Sequence, residues 1–207
     1  MLDVNEAWTR KQAVRHVGEL ERTLDLIWIE EPVRRWDAEG LAVVTRSVRA
    51  SVATGENLSG LEQYRPLVAA GAVDVVQAAA VGGVTHFLRV CALAHAFDLP
   101  VSPVGNSPIG LLHAAASVPN HLTSELQDLT PPLGVSLDLH VDDGAFVLGD
   151  TAGLGIRVDD QAILAAARRS GPPSVGGPHV RPEHAGRRLL PELDGVARGN
   201  GFPIRRG

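Results

Sequence analysis

Three acidic residues in this chain are spaced as the ends of successive strands in a repeating unit would be. Asp3, Glu30 and Glu56 each stand at or just after the carboxyl end of a short apolar run, and 27 and 26 residues separate them. One strand-helix unit of a parallel barrel takes about 30 residues. Because parallel strands end at the same edge of their sheet, the three carboxylates are predicted to converge there.

Three converging carboxylates repel one another unless a cation neutralises them. Mg²⁺ prefers oxygen ligands in an octahedron that water and substrate complete. The spacing therefore favours a Mg²⁺ site formed by Asp3, Glu30 and Glu56. The alternative left open by spacing alone is that Asp3 caps a helix and the two glutamates are ordinary loop acids.

The elements that would position these residues follow an α/β pattern, in which short β-branched runs alternate with stretches of helical period. Together they predict a partial TIM (β/α) barrel with about six of the eight βα units needed for closure. The predicted strands are Met1–Val4, Leu26–Ile29, Ser51–Thr54, Val73–Gln77, Leu99–Ser102 and Leu122–Glu125. The predicted helices are Arg10–Thr23, capped by Thr9, and Leu61–Ala70, His86–Phe97 and Pro108–Val118.

The alternation stops after residue 126. A hairpin is predicted near residues 137–148, around Asp142-Asp143-Gly144, and a last helix over Asp159–Arg168. We therefore predict an incomplete barrel domain over residues 1–169. Residues 170–207 are rich in Gly, Pro and Arg without a sustained period, and are predicted to form an extended tail.

Composition and charge argue against several kinds of partner, covalent bond and metal site. The net charge is −5, and no block of five like charges occurs, which argues against a nucleic acid or an anionic membrane as partner. A single cysteine, Cys91, excludes an internal disulfide and a thiolate zinc site. With no secretion signal and no long apolar span, the chain is expected to be cytoplasmic.

Short motifs in a fixed order resemble the mandelate racemase and muconate lactonizing enzyme group of the enolase superfamily. The resemblance covers about residues 1 to 160 and matches the C-terminal, enolase C-terminal domain-like barrel of that group. Each motif alone is weak, but their ordered succession is specific. The matching segments are Asp3-Val4-Asn5, Trp28-Ile29-Glu30-Glu31-Pro32, Gly55-Glu56-Asn57, Gly82-Gly83-Val84-Thr85, Pro119-Asn120, Asp143-Gly144 and Gly153-Leu154-Gly155.

The resemblance implies that Asp3, Glu30 and Glu56 are Mg²⁺ ligands. In the family the metal holds a substrate carboxylate and stabilises the enolate formed when a base removes the α-proton. Asn5 is implied to position substrate, and Glu125 resembles the acid that hydrogen-bonds the substrate carboxylate.

The eight histidines are the candidates for a substitute base. Two of them are candidates: His86 for contact with substrate, because it follows the Gly82-Gly83 turn at a helix N-terminus, and His121 for the mouth of the site near Glu125.

The chain also departs from the family. Ala79 and Val104 stand where the family has an Asp–His acid/base pair. Neither side chain can donate or accept a proton. The capping domain and the lysine-bearing strand are missing, so the chain is interpreted as truncated at its N-terminus, and the exposed sheet edges predict a marginal or homo-oligomeric protein.

Two functions follow from the resemblance. The first is a Mg²⁺-dependent acid-sugar dehydratase or racemase-like enzyme acting on a sugar acid, with one-base elimination favoured over racemisation. The second is a catalytically inactive remnant that keeps only metal binding. In either case the 207-residue chain by itself is expected to be inactive. A plain interaction module would leave the three carboxylates without a cause.

Overall fold

A computed structural model describes residues 1–79, 82–104, 109–126, 131 and 133–169. The chain divides into two compact units, of which the first is Met1–Val158 and the second begins at Asp159. The described element of the second unit is helix α6 (Asp160–Arg169). The Asp159 carboxylate accepts a hydrogen bond of 3.0 Å from the Ala162 amide and so caps this helix. The predicted tail over residues 170–207 lies outside the described residues.

The first unit is built on a parallel sheet whose strands follow one another in chain order, β1-β2-β3-β4-β5. Each strand pairs in parallel with the next, which confirms the predicted α/β fold with a partial barrel sheet. The strands are β1 (Leu2–Asp3), β2 (Trp28–Glu30), β3 (Ser51–Thr54), β4 (Val75–Ala79) and β5 (Val101–Val104).

The predicted sixth strand is present only as a segment bonded to the edge of β5. Leu122 donates its amide to the Val101 carbonyl at 2.9 Å, and a single bridge joins Val101 to His121. The ladder cannot continue regularly because Pro103 has no N–H to donate. The segment rejoins β5 when the Glu125 amide donates to the Pro103 carbonyl at 3.0 Å. Glu125 therefore stands at the carboxyl end of the sheet.

Helices connect the strands and cover one face of the sheet. Thr9 caps the first in a capping box with Gln12, as predicted. The second helix was not among those predicted, because Val43-Val44-Thr45 obscures its period, yet Asp37 caps it by accepting from the Gly40 amide at 3.0 Å. The helices are α1 (Arg10–Leu20), α2 (Ala38–Ser47), α3 (Leu61–Ala69), α4 (Gly83–His95) and α5 (Ile109–Ala115).

Alternation along the strands separates two environments. Val52, Val76 and Val101 belong to the main core with the helices, whereas Ile29 packs with Val17 in a smaller cluster on the same outer face. The intervening positions form a second apolar cluster on the inner face, made of Trp28, Ala53 and Val75. The sheet is therefore apolar on both faces, as expected for parallel strands.

Two antiparallel pairs follow the sheet. β6 (Val135–Leu137) pairs with β9 (Ile156–Val158), and β7 (Leu139–Asp142) forms a hairpin with β8 (Ala145–Leu148). Asp143 and Gly144 have φ of 45° and 76°, the left-handed conformation that the tight turn requires. Among the described helices, none has the length and apolar character to cross a membrane.

Gly55, after β3 at the carboxyl end of the sheet, has no room for a side chain. Its φ is +128°, and a Cβ there would lie 2.3 Å from the Gln77 carbonyl oxygen and 2.9 Å from Tyr64 Cε1. The Tyr64 hydroxyl in turn donates to the Gly55 carbonyl at 2.9 Å. A side chain at this position would displace the turn that leads from β3 to Glu56.

We expect Gly55→Ala to lower the free energy of unfolding by about 3 kcal/mol, since it combines backbone strain with a clash against backbone. Gly71→Ala is the matched control, because Gly71 also has a positive φ, of +58°, but a Cβ added to it would meet no atom within 4 Å. The control is expected to cost about 1 kcal/mol. Urea unfolding of both variants measures the difference, and equal losses would contradict it.

Candidate functional site

Asp3 and Glu30 are direct neighbours across two parallel strands. The register of β1 and β2 pairs Asp3 with Glu30, so their backbones lie about 5 Å apart. Leu2 and Val4 pack on the outer face with Val17 and Ile29, which leaves Asp3 pointing to the inner face. The two carboxylates therefore start side by side on the same face.

Glu56 reaches the same edge through the turn after β3. Glu30 pairs with Ala53 in the register of β2 and β3, and Glu56 follows three residues later, beyond Gly55. The Glu56 side chain is half-buried and accepts a hydrogen bond of 2.7 Å from the Asn57 side-chain amide.

Four carboxylates act on one another at this edge. The charges of Asp3, Glu56 and Glu125 all act on Glu30, and those of Asp3 and Glu125 act on Glu56. Residues from β1, β2, the turn after β3 and the segment beside β5 are thus brought into one acidic group. We call Asp3, Glu30, Glu56 and Glu125 the acid cluster.

Burial and the charges of neighbouring acids raise the pKa of two members of the acid cluster, Glu30 and Glu56. Burial, with a smaller contribution from the charges of the other three carboxylates, raises the pKa of Glu30 to about 7, although a hydrogen bond with Gln77 opposes the rise. Burial also raises the pKa of Glu56, while the Asn57 hydrogen bond and the charge of Arg35 oppose it. The inner apolar cluster of Trp28, Ala53 and Val75 lies beneath Glu30 along β2 to β4 and accounts for its poor solvation.

Gln77 is a polar residue of this site that the sequence motifs do not reveal. It lies on β4, is 1% exposed, and its Oε1 has no hydrogen-bond partner among the described residues. The signal that could have found it is a lone amide inside the apolar run Val75-Val76-Gln77-Ala78. A buried amide with one unpaired acceptor next to an acid is unusual, because leaving it unpaired costs free energy.

The donor set suits a hard cation, but the side chains do not converge on one point. Among the described residues, no three His, Cys, Asp or Glu side chains are grouped so that they could hold an ion as they stand. Asp3 instead accepts hydrogen bonds from the Asn5 backbone amide, at 2.9 Å, and from the Asn5 side chain. The backbone register and the oxygen-only donors fit Mg²⁺, whereas the side-chain positions require rotation about χ angles.

Asn5 and His86, the two predicted substrate contacts, have different surroundings. Asn5 donates a hydrogen bond to Asp3 of the acid cluster. His86 packs over the backbone of Gly82 and stacks obliquely on Tyr64, with ring centroids 6.1 Å apart. Its Nε2 is buried without a partner in the described part of the chain, so the ring is packed against α3 rather than paired with a carboxylate.

Ala79 and Val104, whose side chains can neither donate nor accept a proton, are neighbours at the ends of β4 and β5. The register pairs them directly. They follow Gln77 and Ser102 by two residues, so they share the inner face. Two apolar side chains therefore occupy adjacent inner positions at this edge.

Comparison with known proteins identifies the family. The family model for the enolase C-terminal domain-like domain of the mandelate racemase and muconate lactonizing enzyme group matches residues 1–162. The chain belongs to this enolase superfamily group. The resemblance seen in the sequence motifs is thereby confirmed.

Relatives of this chain include dehydratases and an epimerase. The L-talarate/galactarate dehydratase of Salmonella typhimurium is 32% identical over 78% of this chain and 40% of its own length. Its crystal structure with Mg and L-lyxarohydroxamate aligns with a TM-score of 0.70 at 30% identity, covering 79% of this chain and 42% of that one. The L-Ala-D/L-Glu epimerase of Clostridium acetobutylicum is 30% identical over 75% of this chain and 46% of its own. This enolase superfamily chain thus spans less than half of these relatives.

The raised pKa of Glu30 predicts how stability depends on pH in the metal-free chain. A carboxyl group whose pKa rises on folding, here from 4.5 to about 7, favours the native state while protonated and loses that contribution as pH rises through 7. We expect the melting temperature to fall between pH 4.5 and 7 more steeply in the unaltered protein than in Glu30→Gln. Calorimetric melting across this range measures both slopes.

Glu19→Gln, an exposed carboxylate on α1, is the control for the loss of one acid. It is expected to follow the unaltered protein. If Glu30→Gln followed the same curve as well, the acid cluster would not be strained in the folded state.

Proposed function

We propose that this chain carries the metal-ligand site of a Mg²⁺-dependent enzyme, a dehydratase or racemase-like member of the enolase superfamily acting on a sugar acid. The observation that carries the proposal is the acid cluster, in which Asp3 and Glu30 are paired in register and interact with Glu56 and Glu125 at the same edge. A relative solved with Mg and L-lyxarohydroxamate supports it.

In this proposal Asp3, Glu30 and Glu56 hold the ion. An ion placed there supplies Lewis-acid stabilisation for the negative charge that develops on a substrate carboxylate as the adjacent C–H loses its proton. Neutralisation by a divalent cation also removes the repulsion that contributes to the raised pKa of Glu30 and Glu56. The strain of the acid cluster would thus be relieved on loading.

The other residues of the site bind and orient. Glu125, in the segment beside β5 at the carboxyl end of the sheet, is proposed to hydrogen-bond the substrate carboxylate. Asn5 donates to Asp3 and, with Asp3 serving as a ligand, would donate to a substrate oxygen instead. His86 requires a side-chain rotation away from Tyr64 to contact substrate. The apolar floor of Trp28 and its neighbours excludes water from the reacting carbon.

The proposed substrate class follows from the relatives, and the proposed reaction follows from the residues on the inner face of the sheet. A sugar acid fits this site because its carboxylate would bind both Mg²⁺ and Glu125. Since Ala79 and Val104 offer no proton carrier on one side, a single base would suffice only for elimination, which favours dehydration over racemisation. An oligomer that covers the edge of the sheet at β1 is part of the same proposal.

The alternative is a protein that keeps metal binding without turnover. Its specific support is the direct pairing of Ala79 with Val104, which leaves two adjacent inner positions without acid or base. Both alternatives require the acid cluster to bind Mg²⁺, and they differ in whether a bound sugar acid reacts.

Mg²⁺ titration by calorimetry tests what the two alternatives share. We expect binding by the 207-residue chain, weakened by about two orders of magnitude in Glu30→Gln or Glu56→Gln because each loses a charged oxygen ligand. Glu19→Gln should bind as the unaltered chain does. Indifference to both ligand substitutions would end the proposal of this site.

An assay against a panel of sugar acids tests whether the 207-residue chain turns over a sugar acid by itself. With Mg²⁺ present, we expect neither dehydration nor α-proton exchange in D₂O, because Ala79 and Val104 carry no base and none of the residues proposed for this site acts as the base. NMR detects both reactions. Turnover that Glu125→Gln abolishes would instead establish an active enzyme and refute the expected inactivity.

A further inference from the structure

Each of the three turns that would present a metal ligand also carries a residue that takes part in hydrogen bonds between the turns. The turn after β1 carries Glu6, the turn after β2 carries Glu31 and Arg35, and the turn after β3 carries Asn57. Glu6 and Glu31 are 4% and 2% exposed, although both are acids. Buried acids are rare unless they are paired, so their partners need an account.

Arg35 is the main partner of Glu6. Its guanidinium donates from Nη2 to Glu6 Oε2 at 2.9 Å and from Nε to Glu6 Oε1 at 2.5 Å, and its backbone amide donates to Glu6 Oε1 at 2.9 Å. This fork joins the turn after β2 to the turn after β1. It also keeps the pKa of Glu6 below its ordinary value in spite of burial, which raises it.

The same guanidinium reaches the third turn. Arg35 Nη1 donates to the Asn57 carbonyl at 3.3 Å. The Asn57 side chain then donates to Glu31 Oε1 at 3.1 Å and to Glu56 Oε1 at 2.7 Å. Glu56 of the acid cluster is therefore held through Asn57, which Arg35 in turn holds by its backbone.

The backbone of these turns is unusual and needs such support. Asn5, Glu6 and Glu31 all have positive φ, of 49°, 60° and 43°. That conformation costs about 1–2 kcal/mol for a residue with a side chain, and it persists where surrounding contacts impose it. The Glu6 amide donates to the Glu31 carbonyl at 2.8 Å, so the strained turns also support each other.

We propose that Arg35 is a positioning residue, which fixes the three ligand-bearing turns through Glu6 and Asn57 and so sets the affinity of the acid cluster for Mg²⁺. The inference rests on the proposed function for its metal, although the coupling of the turns is a property of the chain itself. Arg35 hydrogen-bonds none of the proposed ligands, although its charge acts on Glu56. The positioning effect passes through its hydrogen bonds to Glu6 and Asn57.

The variants are Arg35→Ala and Asn57→Ala, with Arg49→Ala as control. Arg49 also pairs with a glutamate, Glu21, but it precedes β3 and lies at the opposite end of the sheet. Asn57 has an exposed side chain, and Asn57→Ala keeps the Glu6–Arg35 pair. We therefore expect Asn57→Ala to fold even if Arg35→Ala does not.

Two measurements are made on each folded variant of the full chain. Calorimetry with Mg²⁺ should show dissociation constants raised roughly 10- to 100-fold in Arg35→Ala and about 10-fold in Asn57→Ala, with less than a twofold change in Arg49→Ala. Hydrogen exchange without metal should be accelerated at the amides of Glu6 and Leu58, which bond within the turns, and unchanged at Ala70 at the end of α3. A purely structural loss would accelerate all three amides together.

The outcomes separate the inference from the proposed function. If the unaltered chain binds no Mg²⁺, the proposed function falls, and the exchange data alone decide whether Arg35 couples the turns. If the chain binds Mg²⁺ but Arg35→Ala and Asn57→Ala bind it within twofold of the unaltered protein, the positioning role is overturned. Unchanged exchange at Glu6 and Leu58 overturns it as well.

Discussion

The arrangement of this protein depends on holding four carboxylates at one edge of an apolar sheet. The charges of Asp3 and Glu125 act on Glu30 and Glu56, and burial raises the pKa of Glu30 and Glu56. Nothing in the hydrophobic core gains from this arrangement. Such a cost is tolerated where function demands it, and a divalent cation is the simple way to offset it.

Two neighbouring acids at the end of β2 have different hydrogen-bond partners. Glu30 belongs to the acid cluster and hydrogen-bonds Gln77, whereas Glu31 accepts a hydrogen bond from the Asn57 side chain. Arg35 offsets the charge of Glu6 and donates to the Asn57 carbonyl. Asn57 also donates to Glu56, so the two groups of residues are joined there. The turns that bear the proposed ligands are thus supported by residues that are not themselves ligands.

Part of this could be predicted because parallel βα units impose a regular interval on the chain. The intervals between Asp3, Glu30 and Glu56, with the ordered motifs, led to the family and the fold. Helix α2 escaped prediction because β-branched residues interrupt its period, although topology requires a connection between parallel strands. The irregular segment before Glu125 escaped as well, since the missing N–H of Pro103 matters only once β5 has a neighbour.

The sequence by itself determined most of the elements, the family and the strand ends at which acids stand, because these depend on residue type and local spacing. Only the tertiary structure decided which acids share a face, that the buried Gln77 acceptor lacks a partner among the described residues, and that Arg35 links three turns. It also showed that Asn5 donates a hydrogen bond to Asp3 and that the described side chains of the acid cluster do not converge on one point. The links between turns arise from contacts between residues 20 or more positions apart, whose geometry no local pattern encodes.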